Sequence, residues 1–341
     1  MLTLTAKRLH DATSRIFVAA GTPADLAEQM ANVLVESNLV GHDSHGVLRI
    51  PAYVESIRKG GIVPDARPAV VEETAGSALV DGKYAFGHVA AGFATDVAVR
   101  KAKESKAAVV SIVRCNHIGR LGEWAGRAAA KDVVAFVCVG GSGGPGIAAP
   151  FGGGARALST NPISVGIPGG EQPDMLVDFA TTMIAEGKVQ AARAKGAALP
   201  PGCILDKDGN PSTNPEDLYA GGMLLPFGGH KGYGLAMVVE LLGGALAPGD
   251  KYNGQGRRGG AVIIAVDAST FHPLADYDRS ADYHLGRIKQ IPPARGFSEV
   301  LLPGEPERRS KEERSRDGIP VAEATWNAIV ETGKSLGVTI E

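Results

Sequence analysis

Apolar strand patterns alternate with helical patterns through the middle of the 341-residue chain. The segment Ala107–Val113 is apolar apart from one serine, and a second apolar run covers residues 133–139. Helical patterns precede both runs, at residues 89–105 and 121–131. Strands that alternate with helices in this way predict an α/β core in which helices cover the faces of a sheet. Further strands are predicted at 69–73, 78–81, 163–167, 175–177 and 261–266, and further helices at 188–195 and 231–246.

Both ends of the chain carry helical patterns without the intervening strands. Residues 4–20 place apolar side chains at helical spacing, and a second pattern starts after Thr22-Pro23, a cap followed by proline. We therefore predict two domains. One is a helical domain built from residues 1–62 and 271–341, and the other is an α/β domain over residues 63–270.

The composition narrows the class of function. The formal net charge is −2, which gives no indication of nucleic acid or an anionic membrane as a partner. The three cysteines, Cys115, Cys138 and Cys203, lack CxxC spacing, so neither a disulfide framework nor a zinc ribbon is expected. With no signal peptide and no apolar run of membrane-spanning length, the chain is predicted to be cytoplasmic.

A glycine-rich loop at residues 141–146 (GSGGPG) matches the G-x-G-x-x-G pattern after a strand. The dinucleotide-binding fingerprint requires that this turn opens a helix, whose N-terminus takes the pyrophosphate. Pro145 and Pro150 prevent a helix from starting on schedule, so we exclude a standard Rossmann site and keep a backbone anion nest as an alternative. A second loop, GGHKG, is not a Walker A loop, but it offers His230 and Lys231 to a phosphate or a nicotinamide.

One short segment, residues 41–53 (GHDSHGVLRIPAY), concentrates acid–base groups and a cation. If Ser44 caps a helix, His45 and Arg49 stand four residues apart on one face. Pro51 allows the helix to begin later instead. On a shared face, Arg49 would hold a carboxylate through two N–H bonds while His45 exchanges a proton with an oxygen one carbon away. The alternative is an ordinary helix start with a surface histidine and arginine.

A polar pair, Asn116-His117, follows one of the long apolar strands. The carboxyl end of a strand is a usual place for chemistry in α/β folds, so His117 is a second acid–base candidate. The alternative is a loop histidine that is satisfied by backbone groups. A metal site built from His42, Asp43 and His45 is not expected, because adjacent residues at a helix start point in different directions.

Further motifs, taken in order, make the chain resemble the malate/L-lactate dehydrogenase family, which lacks a Rossmann fold. The likeness runs nearly end to end, and it is similar in particular to the hydroxycarboxylate dehydrogenase B branch. Besides the Ser44 segment, the motifs that carry it are Asn116-His117-Ile118-Gly119-Arg120, Ser159-Thr160-Asn161-Pro162, Asp178-Phe179-Ala180-Thr181, Gly187-Lys188, Pro200-Pro201-Gly202-Cys203, Gly229-His230-Lys231-Gly232-Tyr233-Gly234-Leu235 and Leu302-Pro303-Gly304-Glu305.

The resemblance implies a layered, non-Rossmann α/β cofactor domain beside the helical domain. It also implies NADH or NADPH as cofactor and a homodimer with the active site near the subunit interface. The implied catalytic residues are His45, His117 and Ser44, and the implied substrate-binding residues are Arg49, Tyr53 and Thr160. The implied cofactor-binding residues are Asp178, Ala180, Thr181, His230, Lys231, Gly304 and Glu305. Ser159 stands where relatives carry glycine, and this departure near the cofactor region leaves the choice between NAD and NADP open.

The reaction that the resemblance implies is the reversible, NAD(P)H-dependent reduction of a 2-oxo acid to a 2-hydroxy acid of the lactate, malate or aryl-lactate type. Within the family, the alternatives are a reductase of cyclic imino acids (piperideine- or pyrroline-2-carboxylate) and a ureidoglycolate or sulfolactate dehydrogenase. Outside it, a carboxylate lyase and a non-catalytic protein that binds small acids remain, because fold and motif constrain function only loosely.

Overall fold

A computed structural model describes residues 1–141, 144–252 and 259–340 of the chain. Its strands are β1 (Leu2–Leu4), β2 (Ala69–Glu73), β3 (Ser77–Asp81), β4 (Ala107–Val113), β5 (Val133–Gly140), β6 (Ile163–Ile167), β7 (Met175–Phe179), β8 (Ile204–Leu205), β9 (Pro211–Ser212), β10 (Met223–Leu224), β11 (Gly260–Asp267) and β12 (Ile319–Val321). Its helices are α1 (Ala6–Ala19), α2 (Ala24–Leu39), α3 (Ile50–Arg58), α4 (Gly87–Ser105), α5 (Leu121–Ala129), α6 (Glu186–Ala194), α7 (Pro215–Tyr219), α8 (His230–Leu241), α9 (Gly249–Tyr252), α10 (Leu274–Lys289), α11 (Glu305–Asp317) and α12 (Glu323–Lys334).

A seven-stranded sheet forms the centre of the molecule, in the order β2-β3-β4-β11-β5-β6-β7. Strands β3 and β4 run parallel, whereas β11 pairs antiparallel with both β4 and β5, and the remaining neighbours are antiparallel as well. In mid-sheet, Ile263 lies opposite Val110 on one side and Val137 on the other. A doubly wound Rossmann sheet has a parallel core. The predicted non-Rossmann α/β fold is therefore confirmed.

Helices cover both faces of this sheet. Helices α4 and α5 pack on one face, against Val110, Val137 and other buried side chains of the central strands. Side chains alternate across a strand, so their sequence neighbours Phe136 and Cys138 contribute to a second cluster on the opposite face, with Val239 of α8. The central strands are thus buried on both sides, which explains why they read as continuous apolar runs in the sequence.

The two ends of the chain share a hydrophobic cluster of their own, around α1, α2, α3 and α12. Strand β1 pairs with β12, and Leu4 lies opposite Ile319 across this pair. Ile16 and Phe17 of α1 are completely buried in the cluster. The division of the chain into two domains at the predicted boundaries stays a prediction.

Two predicted helices are wrong in part. The helix predicted at residues 4–20 begins only at Ala6, because the preceding residues form β1 and Thr5 caps α1 by accepting a hydrogen bond from the Arg8 N–H at 3.2 Å. The helix predicted at 231–246 changes at Leu242 into a π-helical turn. There Gly243 lies so close to the end of β5 that an added Cβ would come within 2.5 Å of a backbone nitrogen.

The glycine-rich loop after β5 does not open a helix. From residue 144 to β6 the described chain consists of turns and isolated bridges, as the exclusion of a Rossmann fingerprint predicted. Ser142 and Gly143 lie outside the described residues, so the anion nest predicted for this loop stays a prediction. Within the three described ranges, no helix has both the length and the apolar character needed to cross a membrane.

Candidate active site

A cavity of about 990 Å³ lies at the edge of the sheet where β4, β5 and β7 end and β11 begins. This volume is at the upper end of the range of about 300–1,000 Å³ that is typical of ligand pockets. Its wall combines the segment before α3, the loop after β4, and the residues on either side of β7. The predicted site residues that line it are Ser44, His45, Arg49, His117, Thr160, Asp178 and Ala180.

The segment before α3 is not the single helix start that the sequence suggested. Ser44 lies in a 3-10 turn, Asp43–His45, and its side chain does not cap a helix. A second 3-10 turn, Val47–Arg49, follows, and α3 begins at Ile50. The prediction that Ser44 is an N-cap is therefore wrong, and the alternative that proline delays the helix is confirmed. His45 and Arg49 consequently do not share a helix face.

Hydrogen bonds from Asn38, near the end of α2, shape this segment. The Asn38 side chain accepts from the Val47 N–H at 2.8 Å and donates to Asp43 at 2.7 Å. Gly46 lies directly against it, since an added Cβ would come within 2.0 Å of the Asn38 amide oxygen. Arg314 of α11 donates to both carboxylate oxygens of Asp43, at 2.7 and 3.2 Å. The position of the two turns is thus set by contacts outside the segment.

Arg49 is held in this segment through one nitrogen of its guanidinium group. Its Nε donates to the Ser44 carbonyl oxygen at 2.7 Å, which orients the side chain. Among the described residues, neither of its terminal nitrogens has a hydrogen-bond partner, and the side chain lines the cavity. A planar guanidinium with free terminal N–H groups is suited to bidentate binding of a carboxylate.

Two histidine rings stack beside Arg49. The rings of His45 and His117 are 5.7 Å apart between centroids and only 18° from parallel. In each ring Nδ1 has a hydroxyl partner, Ser44 at 2.9 Å from His45 and Tyr53 at 2.8 Å from His117. Among the described residues neither Nε2 atom has a hydrogen-bond partner, so Nε2 is the nitrogen of each ring that is free to contact a ligand.

The surroundings of both imidazoles in the cavity lower their pKa values. Burial, followed by the neighbouring His117 and Arg49, lowers the pKa of His45 to about 3. Burial and the positive charge of Arg49 lower the pKa of His117 to about 4. A neutral imidazole can accept a proton from a hydroxyl group. A bound carboxylate would offset the charge of Arg49 and favour the protonated imidazole, which can donate a proton to a carbonyl oxygen.

The predicted cofactor residues next to β7 are at the cavity but differ in access. Asp178 and Ala180 line it, and a carboxylate oxygen of Asp178 accepts a hydrogen bond from the Gly122 N–H, in the first turn of α5, at 2.7 Å. Burial raises the pKa of the Asp178 carboxyl group. Thr181 is buried behind the wall, where its hydroxyl donates to the carbonyl oxygen of Thr160 at 3.0 Å.

The other predicted cofactor residues are not brought into the cavity wall. His230 and Lys231 are exposed at the start of α8, where the His230 ring is 6.0 Å from that of Phe151. Gly304 has a left-handed backbone (φ +94°) at the start of α11. Glu305 accepts from Lys289 at 2.6 Å, so it belongs to an ion-pair network. Their roles in binding a cofactor stay predictions.

The histidine-rich segment is not arranged around a metal. His42 pairs with Glu307 at 3.2 Å, Asp43 pairs with Arg314, and His45 turns toward Ser44. In the part of the chain that is described, no three histidine, cysteine, aspartate or glutamate side chains form a group that could hold a metal ion.

Two residues near the cavity were missed by the sequence reasoning. His88, in the first turn of α4, is 1% exposed, and its ring lies edge-on to His117 at 6.1 Å between centroids. Arg120 lines the cavity although only 5% of it is exposed, and it pairs with Glu123 at 3.2 Å. Arg120 stood inside a recognised motif, whereas no local pattern distinguished His88.

Comparison with known proteins places this site in a family. The sequence profile of the malate/L-lactate dehydrogenase family matches residues 4–330. The chain is 36% identical to L-sulfolactate dehydrogenase of Methanocaldococcus jannaschii, over 94% of this chain and 93% of that protein. It is 34% identical to hydroxycarboxylate dehydrogenase B of Escherichia coli, over 98% of this chain and 95% of that protein.

Solved structures agree with the sequence comparison. The sulfolactate dehydrogenase from M. jannaschii superimposes with a TM-score of 0.89 at 32% identity, covering 99% of this chain and 98% of that one. The delta1-piperideine-2-carboxylate reductase from Pseudomonas syringae superimposes with a TM-score of 0.84 at 29% identity, covering 97% of this chain and all of that one. The chain therefore belongs to the malate/L-lactate dehydrogenase family and is an oxidoreductase that acts on the CH–OH group of hydroxy acids.

Proposed function

We propose that the protein catalyses the reversible, NAD(P)H-dependent reduction of 2-oxo acids to 2-hydroxy acids. The observation that carries this proposal is the arrangement in one cavity of a guanidinium with free terminal nitrogens and two stacked imidazoles whose Nε2 atoms are free. A 2-oxo acid has a carboxylate and a carbonyl oxygen on adjacent carbons, and this arrangement offers a separate group to each.

In this proposal Arg49 binds the carboxylate. Its terminal N–H groups form two parallel bonds to the two carboxylate oxygens, which fixes the orientation of the substrate in the cavity. Ser44 holds the neighbouring His45 in place, and the main-chain carbonyl of Ser44 does the same for Arg49. The substrate is thereby oriented with its C2 oxygen beside the imidazoles, a positioning effect that contributes directly to rate.

His45 or His117 moves the proton. In the reduction, C2 gains a hydride, the C2 oxygen gains a proton from an imidazole, and the carbon–oxygen double bond becomes single. In the oxidation, a neutral imidazole accepts the proton of the hydroxyl group. The lowered pKa values of both histidines suit the accepting role, and neutralisation of Arg49 by the substrate carboxylate favours the donating role.

The cavity fits a nicotinamide cofactor in size and lining. Its volume of about 990 Å³ exceeds what a three- or four-carbon acid needs, and Thr160, Asp178 and Ala180 line the part next to β7. These residues would hold the cofactor, which contributes a hydride when it is bound in the reduced state. Ser159 departs from the family pattern in this region, so the assay described below uses both NADH and NADPH.

The names of the relatives give several classes of small acid as candidate substrates. Relatives of similar identity are named for sulfolactate, hydroxycarboxylates, malate and lactate, and all of these combine a carboxylate with a neighbouring hydroxyl group. A second candidate is the reduction of a cyclic imino acid, since a structural neighbour is a piperideine-2-carboxylate reductase. In that case C=N replaces C=O, and the same carboxylate contact to Arg49 applies.

We also propose a homodimer in the cytoplasm. No residue of α10 is buried, and aromatic side chains on and after this helix are exposed, including Tyr283 at 66% and Phe297 at 73%. Several large apolar side chains exposed on one segment suit an interaction surface, and a second copy of the chain is the partner we propose. All three cysteines are free thiols, which suits a reducing compartment.

An absorbance assay tests the function. The protein is mixed with NADH or NADPH and then with pyruvate, oxaloacetate, phenylpyruvate, sulfopyruvate or a cyclic imine, and the near-ultraviolet absorbance of the reduced cofactor is followed. We expect loss of absorbance that depends on a 2-oxo acid. Loss of absorbance with the cyclic imine alone would support the reduction of imino acids instead. If none of these acceptors causes a loss of absorbance, both candidate functions are contradicted.

A further inference from the structure

Tyr53 lies behind the cavity wall rather than in it. It is on α3, only 7% of it is exposed, and its hydroxyl is 2.8 Å from Nδ1 of His117. Tyr53 does not line the cavity, whereas His117 does. The Tyr53 side chain, which was predicted to bind the substrate, thus contacts one of the two imidazoles through its hydroxyl.

The surroundings of Tyr53 leave one acceptor for its hydroxyl proton. Its ring packs edge-on against Phe86 and against His88, at 6.3 and 5.6 Å between centroids. The nitrogens of His88 are buried and have no hydrogen-bond partner, so they do not receive that proton. Among the described residues, Nδ1 of His117 is the hydrogen-bond partner of the hydroxyl. A buried hydroxyl without an acceptor costs roughly 1–3 kcal/mol.

This hydrogen bond determines where His117 carries its own proton. A neutral imidazole has one N–H and one acceptor nitrogen, and the hydrogen bond at one nitrogen decides which is which. If the Tyr53 hydroxyl donates to Nδ1, the proton of His117 is on Nε2, the nitrogen that faces the cavity. The opposite arrangement would leave the proton of the buried Tyr53 hydroxyl without an acceptor.

We propose that Tyr53 is a positioning residue that fixes the tautomer of His117, so that Nε2–H faces the C2 oxygen of the substrate. This inference rests on the proposed function, because its benefit is a preformed donor for the carbonyl oxygen of a 2-oxo acid. The donor is in place before the substrate arrives, so no rearrangement is needed as negative charge develops on that oxygen. Because Nε2 of neutral His117 then carries a proton, the imidazole that accepts the hydroxyl proton in the oxidation is His45. His88 supports the arrangement by packing edge-on against both rings.

Nitrogen-15 NMR of the wild-type protein tests the tautomer directly. The ligand-free protein is labelled with ¹⁵N-histidine, and the signals of His117 are assigned from the spectrum of His117→Gln. We expect Nε2 to be protonated and Nδ1 to be an unprotonated acceptor at neutral pH. Protonation at Nδ1, or rapid exchange between both tautomers, would overturn the proposal. The result does not depend on activity, so a failure of the proposed function is distinguishable from a failure of this inference.

Tyr53→Phe tests the consequence for the reaction. Hydrogen-bond partners that orient histidines at metal sites are typically worth 10–100-fold, and we expect kcat to fall by roughly the same factor here. The KM values for the 2-oxo acid and for the cofactor should change by less than about twofold, and the Nε2–H preference should be lost. Tyr277→Phe is the matched control, because its hydroxyl has a single acceptor, the Pro168 carbonyl oxygen. A kcat for Tyr53→Phe equal to that of the control would overturn the proposal.

Discussion

At the scale of single residues, we assign substrate binding to Arg49 and proton exchange to the two histidines. Arg49 is oriented by a backbone carbonyl and keeps its terminal nitrogens for a ligand. His45 and His117 each use Nδ1 for a hydroxyl partner and keep Nε2 for a ligand. Each of the three side chains is therefore held by one contact and leaves a second group free, which is the requirement for a preorganised site.

For His45→Ala we expect kcat to fall by roughly 10²–10⁴, the usual range for removal of a general acid–base group. Binding of the reduced cofactor should be nearly unchanged, because the substitution removes a side chain that we assign to substrate chemistry. Steady-state kinetics and a calorimetric titration of NADH and NADPH measure the two effects. A kcat within a few-fold of wild type would assign the proton transfer to His117 instead.

For Arg49→Lys we expect a large rise in the KM for the 2-oxo acid and an unchanged KM for the cofactor. Lysine keeps the charge but loses the planar pair of donors that matches a carboxylate. Arg58→Lys, at the exposed end of α3, is the matched control and should leave both constants unchanged. If Arg49→Lys raised both KM values equally, Arg49 would have a structural role rather than a substrate-binding one.

The residue types of the site could be predicted from the sequence, but their contacts could not. His45 and Arg49 stand in one short segment, and His117 follows a strand end, so local patterns identified all three. The bond between Tyr53 and His117 joins residues 64 positions apart, and His88 approaches them from a third element. Such relations depend on how distant elements pack, which no local spacing reveals.

At the scale of elements, the turns before α3 depend on the end of α2. Asn38 binds both the Val47 N–H and Asp43, and Gly46 passes against its amide group. The sequence predicted a helix start here because Ser44 resembles a cap. Pro51 and the contacts of Asn38 decided the outcome. In the sequence, Pro51 indicates an alternative, later start of the helix, whereas no local pattern indicates the contacts of Asn38.

Gly46→Ala tests this dependence. The added Cβ would lie 2.0 Å from the Asn38 amide oxygen, so the Asn38 side chain must move. Its hydrogen bonds to Asp43 and to the Val47 N–H are then lost. We expect a destabilisation of roughly 1–3 kcal/mol, as for overpacking, together with a lower kcat/KM for the 2-oxo acid. Urea unfolding and steady-state kinetics measure these effects.

The control for this substitution is Gly154→Ala, where nothing lies within 4 Å of the added Cβ. It should change neither the free energy of unfolding nor the kinetics. Wild-type stability and kcat/KM in Gly46→Ala would show that the two turns hold their shape without the contact to Asn38.

At the scale of the whole molecule, the imidazoles of the cavity couple folding to pH. The pKa of His45 is lowered to about 3 and that of His117 to about 4, whereas an unfolded histidine titrates near 6.5. Between these values the unfolded chain binds more protons than the folded one, so the free energy of unfolding falls as the pH falls. Burial raises the pKa of Asp178 and of Glu123, and these groups act in the opposite direction.

His45→Gln isolates one contribution to this pH dependence. Between pH 4 and 6, one histidine that is neutral when folded contributes about 1.4 kcal/mol per pH unit. We expect the slope of unfolding free energy against pH to decrease by about that amount in the variant, measured by urea unfolding at several pH values. His272→Gln, on the exposed surface, is the control. An unchanged slope in His45→Gln would mean that this imidazole is protonated in the folded protein.

The sheet order could not have been predicted from the alternation of strands and helices. That alternation correctly predicted an α/β core, yet β11 inserts between β4 and β5 from more than 100 residues away along the chain. Strands β4 and β5 run in the same direction, and β11 lies between them and pairs antiparallel with both. It also brings the start of β11 to the cavity, beside the ends of β4 and β5.

The most direct test of the proposed reaction is the transfer of deuterium from reduced cofactor to product. NADH and NADPH carrying deuterium at both C4 positions of the nicotinamide are each incubated with the protein and the best 2-oxo acid of the panel, and the product is analysed by mass spectrometry and proton NMR. We predict one deuterium, at C2 of the 2-hydroxy acid, and much less of this labelled product with Arg49→Lys at the same low substrate concentration. A product without deuterium at C2, or no product with any 2-oxo acid, would contradict hydride transfer in this cavity.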